Sequence, residues 1–276
     1  MARMFMSSVV MVALVAAPAA APTPAPAPAE SRMWKVTGTD VTFVQSPKDL
    51  RGLRGDKEVF GLQSRKAEFL ADFEAEPGTD VSDWEGSQSL SILSVVGPWV
   101  SYEQSGSGYT GGAHPYAHTG YVTQDVTKGK DGFSLLDVFA EKDVLAALKA
   151  DGYVRKHVDD DEEFKNATTV ESLLESLGPG EDCVGFEYGL DSVKRAVAFH
   201  HVEGDKVAVR IAFGYAGEMC RGNKFVVGVL LPIPKALRPA FERAAKREEG
   251  FLMKDAKAVK APSVVFTWEP PKPKKP

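Results

Sequence analysis

Two hydrophobic rhythms alternate along the chain, and their order defines the elements to expect. From Met33, the run WKVTGTDVTFVQ carries β-branched residues on both sides of a glycine, which predicts a strand pair joined by a turn. Residues 63–74 (QSRKAEFLADFE) instead place Ala67, Leu70 and Phe73 at helical spacing. SLSILSVVGPWVSYEQ reads as strand on both sides of Gly97-Pro98, and HTGYVTQDVT as a further strand. FSLLDVFAEKDVLAALKAD is amphipathic and predicts a helix capped by Ser134 or Asp137. TTVESLLESLGPG predicts a short helix stopped at Gly178-Pro179. Four strands follow, in CVGFEYGL, SVKRAVAFHHV, DKVAVRIAFGY and KFVVGVLLPI, before a last helix over residues 235–247. Strands dominate both halves without a regular β-α-β beat. The expected class is therefore α+β, a mixed, mainly antiparallel sheet packed with a few helices.

The two ends break this pattern. Arg3 precedes an apolar run from Met4 to Val15, and Ala17-Pro18-Ala19 supplies the small residues of a cleavage site, so residues 1–19 read as a secretory signal peptide. The apolar run is too short to cross a bilayer comfortably, and no other stretch approaches the ~18–20 apolar residues a membrane helix needs. An uncleaved anchor is the alternative. The expected product is exported, periplasmic or secreted, with no membrane span after cleavage. Residues 20–33 form a Pro/Ala tether, and residues 251–276 are expected to be an extended tail ending in EPPKPKKP. The remainder, 43% hydrophobic and 26% charged over the whole chain, has an ordinary globular composition. Cys183 and Cys220 predict one disulfide in an oxidising compartment, with Cα atoms within about 4.4–6.8 Å. A zinc site is the alternative, but two well-separated thiols serve it poorly. A net charge of −5 without a basic stripe disfavours nucleic acid and makes a basic partner electrostatically easier.

The chemistry turns on residues 106–119, GSGYTGGAHPYAHT. Gly106, Gly108 and Gly111 spell a dinucleotide-type G-x-G-x-x-G, but the strand-turn-helix context that motif requires is missing. His114 and His118 suggest a metal-dependent envelope hydrolase. On a strand they would share a face about 13 Å apart, too wide for one ion unless the loop folds back. The adjacent His200 and His201 are expected to point to opposite faces of a strand. The run DDDEE (159–163) lacks calcium-loop spacing and reads as a solvated face. No nucleophile elbow or phosphate loop is present, so a non-catalytic protein without a cofactor is the expectation.

In its surroundings the same stretch becomes SILSVV…YTGGAHPY…TQDVTKGKDGFSLLDVF. This resembles exported domains related to the ectodomain of the anti-sigma factor RsiV and to the non-catalytic N-terminal region of the PdaC deacetylases, the DUF4163 plus DUF3298 type. The matching pieces are Leu93-Ser94-Val95, Tyr109 to Pro115, Asp125…Thr127…Gly129-Lys130 and Leu135-Leu136-Asp137-Val138-Phe139; AFHHVEGDKVAVRIAFGY…FVVGVLLPIP looks like the closing strands. The resemblance implies a DUF4163-like half at 34–127 and a DUF3298-like half at 128–250. It also implies a binding role in the cell envelope, since the RsiV ectodomain binds lysozyme; a basic, lysozyme-like protein or an envelope glycan is the partner to expect. The sigma-binding segment and the deacetylase domain have no counterpart here. The expected contact residues are Tyr109, Gly111, Gly112, His114, Tyr116 and His118. Gly111 and Gly112 shape the turn, and His114 is expected to hydrogen-bond it to the following strand. Trp99 and Tyr102 are placed equally well in a sheet core or at an interface.

Overall fold

The computed structural model describes residues 31–129, 132–178, 188–213, 226–258 and 262–271. The stretch expected to be a signal peptide, most of the expected tether, Cys183, Cys220 and the end of the chain lie outside the described residues.

The chain opens with a four-stranded antiparallel sheet in sequential order: β1 (Arg32–Lys35), β2 (Val41–Ser46), β3 (Asp49–Arg54) and β4 (Lys57–Gly61). The expected pair around Gly38 is β1 and β2; β3 and β4 are additional, and both are short and rich in charge, which hides their period. Helix α1 (Arg65–Ala71) follows. It buries Phe69, with Phe73 just beyond its end, rather than the expected Ala67–Leu70 face, and Leu70 is exposed. Long strands β5 (Glu85–Val96), β6 (Trp99–Tyr109) and β7 (Tyr116–Asp125) then form two successive hairpins.

The next segment is helical: α2 (Leu135–Val138), α3 (Glu141–Ala150), α4 (Gly152–Lys156), α5 (Asp161–Asn166), α6 (Val170–Glu175) and α7 (Leu190–Arg195). The single helix expected from FSLLDVF onward breaks at Phe139 and Ala140, both extended, because Phe139 turns into the core against Phe199. Ser134 holds the first cap position without a side-chain bond. Thr169 forms a full capping box on α6, and Asp160 caps α5, so the acidic run is an exposed helix start, where carboxylates suit the helix dipole. The expected strand at SVKRAV is α7 in its first half.

A second antiparallel sheet, in the order β10-β9-β8, comprises β8 (Val197–Glu203), β9 (Lys206–Ala212) and β10 (Val226–Pro232); α8 (Arg238–Ala245) follows. The residues after α8 correct the expected tail. Phe251, Leu252 and Met253 are buried, and β11 (Ser263–Trp268) pairs along β5 to complete a β11-β5-β6-β7 sheet. Alternating apolar residues, Val264 and Phe266, put that strand in the core. The fold is α+β, and the pairings among the described strands are antiparallel rather than mixed.

Two hydrophobic clusters organise these layers. One joins the opening sheet to the long sheet through residues such as Phe43, Phe60, Ile92 and Tyr102. The other lies between the helices and the β8–β10 sheet, around Phe139, Leu148, Phe199 and Phe241. The clusters do not divide at residues 127/128, since Ala198, Ala212 and Phe251 belong to the first and Val96 to the second. β8 runs its free edge against the face of the long sheet. The buried Ser101 and Thr123 hydroxyls bond each other (2.8 Å) and satisfy the β8 backbone at Phe199 N (3.1 Å) and Val197 O (2.8 Å). A buried strand edge without such partners would be costly, so these two side chains allow the sheets to meet.

Candidate functional site

The β6–β7 hairpin tip carries the expected contact residues. Its turn is built by glycine, with Gly111 at φ +83° and Gly112 at φ +118°. The Tyr109 hydroxyl donates to the Gly112 carbonyl at 2.8 Å and closes the turn. His114 does not hold the turn as expected. It is exposed, and among the described residues no hydrogen bond ties it to the next strand. Nothing lies near the open side of Gly112, so a side chain there meets backbone strain alone. Gly112→Val is expected to cost about 1–2 kcal/mol and lower the Tm by about 3–6 °C, with the hairpin intact. An unchanged Tm together with lost partner binding would make the turn a contact rather than a scaffold.

Gly106 and Gly108 serve the strand pair rather than the turn. They face His118 and Tyr116 across the β6–β7 ladder. A Cβ on Gly106 would sit 2.6 Å from His118 Cε1, and one on Gly108 would sit 2.6 Å from the Tyr116 hydroxyl. Both rings therefore lie down across glycine backbone, with their planes 18° apart and centroids at 6.3 Å. The G-S-G of β6 opposite the Y-A-H of β7 was a period-two signal for this shared face, hidden inside the apparent dinucleotide motif.

Beside these rings lies a cleft of about 200 Å³ between α1 and the sheet. Phe69 of α1 and Asp72, which ends it, form one wall; Ser87 and Gln88 of β5, Thr110, Tyr116 and His118 form the rest. The helix is held there by Phe69 against Phe266 (6.1 Å) and by Phe73 stacked on Trp268 (4.9 Å). Arg65 adds a hydrogen bond to Gln124 and lies over the Phe60 and Tyr102 rings. Burial pushes the His118 imidazole below its ordinary range and nearby Asp72 opposes this, so the neutral ring is favoured. Asp72, Ser87 and Gln88 carried no sequence motif; only the fold brings them to His118.

Next to the tip runs an acidic loop. Residues 72–85 contain Asp72, Glu74, Glu76, Asp80, Asp83 and Glu85, without a single basic residue, and all six carboxylates are exposed. Trp84 pins the loop to the hairpin, its indole 3.4 Å from where a Gly111 Cβ would be, and its ring contacts Trp268. Both ends of the loop thus meet the hairpin, Asp72 in the cleft beside Thr110 and Tyr116 and Glu85 opposite Tyr109 in the ladder.

Other candidates resolve to structural roles. Trp99 and Tyr102 are core residues: Trp99 packs on Phe133 and Phe199 and donates to Asp125 at 3.3 Å, and Tyr102 is 4% exposed. Among the described residues no group of three or more His, Cys, Asp or Glu side chains is arranged to hold a metal, so His114 and His118 find no third ligand there. His200 and His201 do not diverge as a regular strand requires. A bulge between Phe199 and Val202 brings their Nδ1 atoms to 2.9 Å, and His201 Nε2 meets Glu203 at 2.8 Å. No family model, curated protein or solved structure matches the chain. The site must therefore be read from its own chemistry.

Proposed function

We propose that the protein is an exported, non-catalytic binding module of the cell envelope. It recognises a cationic protein partner, with lysozyme the leading candidate, through the hairpin tip and the acidic loop beside it. The observation that carries this reading is the juxtaposition of six exposed carboxylates with an aromatic tip, on a chain of net charge −5. The carboxylates steer a basic partner toward the surface, and Trp84, Tyr109 and Tyr116 supply contact area at small entropic cost. The resemblance of the YTGGAHPY and LLDVF segments to the RsiV-type ectodomain, and the leader-like residues 1–19, support the same reading. The role needs neither a nucleophile nor a cofactor. Calorimetric titration of the purified protein with lysozyme tests it. Heat of binding is expected at low salt, weakening as the Debye length contracts from about 10 Å at 0.1 M to about 3 Å at 1 M.

A further inference from the structure

We infer that the cleft between α1 and the β5–β6–β7 sheet is a saccharide subsite that takes one pyranose residue of a glycan bearing no negative charge. This goes beyond the cationic-partner reading and does not depend on it.

Three observations carry it. The first is a convergence of polar groups without internal partners. Among the described residues, the side chains of Asp72, Gln88, Thr110 and His118 make no hydrogen bond, yet all four line the same cleft. Ser87, also on the lining, makes only a long contact to Ser107 at 3.3 Å. Partly buried hydroxyl, amide and imidazole groups, with a carboxylate at the rim, face one small space. They match a ligand that presents both donors and acceptors around a compact ring. The second is shape. The near-parallel rings of Tyr116 and His118, laid across Gly106 and Gly108, give the cleft a flat edge on which the C–H face of a sugar can rest. A volume of about 200 Å³ suits a single ring and not a chain of them. The third is charge. No Lys or Arg lines the cleft; Asp72 stands on its wall and the other five loop carboxylates lie close by in sequence, so uronates and phosphorylated sugars are repelled. A neutral sugar is accepted, and an amino sugar gains from Asp72.

The test is an NMR titration of the full chain with N-acetylglucosamine, glucosamine and glucuronate, following the ring signals of His118 and Tyr116. The first two are expected to shift both residues saturably with Kd about 1–10 mM, the range a ligand of this size reaches, and glucuronate to bind at least about fivefold more weakly. His118→Phe keeps a flat ring and removes the ring nitrogens; it should weaken sugar binding about fivefold. Gln88→Ala, on a different strand, should do the same, and it decides the matter if the first variant does not fold. The inference is overturned if neither neutral nor amino sugar shifts these signals saturably, if glucuronate binds equally well, or if folded variants keep full sugar affinity. Lysozyme binding by the wild-type protein is read separately: its absence alongside saturable sugar binding sinks the cationic-partner reading alone, and lysozyme binding without saturable sugar binding sinks this inference alone.

Discussion

Gly250→Ala is expected to lower the Tm by about 10 °C, corresponding to about 3–4 kcal/mol in a chain of this size. Gly250 has φ +80°, and a Cβ built there would lie 2.0 Å from the backbone oxygen of Val95. That oxygen accepts from Phe251 N at 3.0 Å while Val95 N donates to Phe251 O at 2.8 Å, so the clash falls on a buried two-bond bridge. The surrounding segment ties several layers together. Glu249 accepts from Thr37 N (2.9 Å), Thr37 Oγ1 (2.6 Å) and Arg243 Nε (3.0 Å), and Met253 N donates to His200 O (2.8 Å). Displacing Gly250 thus loosens the opening sheet, α8 and both core clusters together. Gly112→Val, at a comparably positive φ but in open space, provides the comparison, and its smaller effect isolates the contribution of the clash. Equal Tm losses for the two variants would show that backbone strain alone governs both sites.

Acidification is expected to destabilise the protein by about 3 kcal/mol between pH 6.5 and pH 4 through His200 alone. Burial, reinforced by the charges of Arg210 and His201 and opposed by Asp255, lowers the His200 pKa to about 4 from its ordinary 6.5. The residue is 1% exposed, its Nε2 completes no well-aligned hydrogen bond, and the Ala258 backbone offsets only a small part of the shift. The sign follows from proton uptake. Between these two values the unfolded chain binds a proton that the folded chain refuses, so stability is full above pH 6.5 and falls as pH drops toward 4. At about 1.4 kcal/mol per pH unit, that window gives the stated loss. Glu249 acts lower: burial would raise its carboxyl, but Thr37 and Arg243 outweigh this and hold it below the usual range, so its contribution is lost only as pH falls below about 4.5. Urea unfolding of wild type and His200→Gln at pH 7.5, 6, 5 and 4 separates the two. The variant should lose most of the slope between pH 6.5 and 4; an unchanged slope would remove His200 as its source.

The long hairpins were legible because SLSILSVV and GYVTQDV alternate strongly and Gly97-Pro98 marks the turn between β5 and β6. α6 was legible through the apolar spacing of TTVESLLESL and the Gly178-Pro179 stop, while its Thr169 capping box was not anticipated. β3, β4 and β11 were not, because short strands carrying Arg, Lys and Glu, or preceding a proline-rich end, resemble loops until a partner strand is in place. Local period also misled at α7, where helical turns bury Val193 within a run that alternates like a strand. At the site, the motif itself marks Tyr116 and His118, but the turn-closing hydrogen bond expected of His114 is made by Tyr109 instead. Asp72, Ser87 and Gln88 could not be found: their meeting is a product of α1 packing on β11 and β5, a contact between residues nearly two hundred positions apart.

Recognition of a cationic partner by the acidic loop is tested by comparing wild type with an Asp80→Asn, Asp83→Asn, Glu85→Gln variant in calorimetric and stopped-flow titrations with lysozyme at about 0.05 M and about 1 M salt. All three positions are exposed, so the variant should fold as wild type does. Wild type is expected to bind at low salt and to weaken at high salt, and the variant to associate about tenfold more slowly at low salt, with the difference vanishing at 1 M. Absence of binding by folded wild-type protein at either salt, or a variant that associates at the wild-type rate at low salt, would contradict the account.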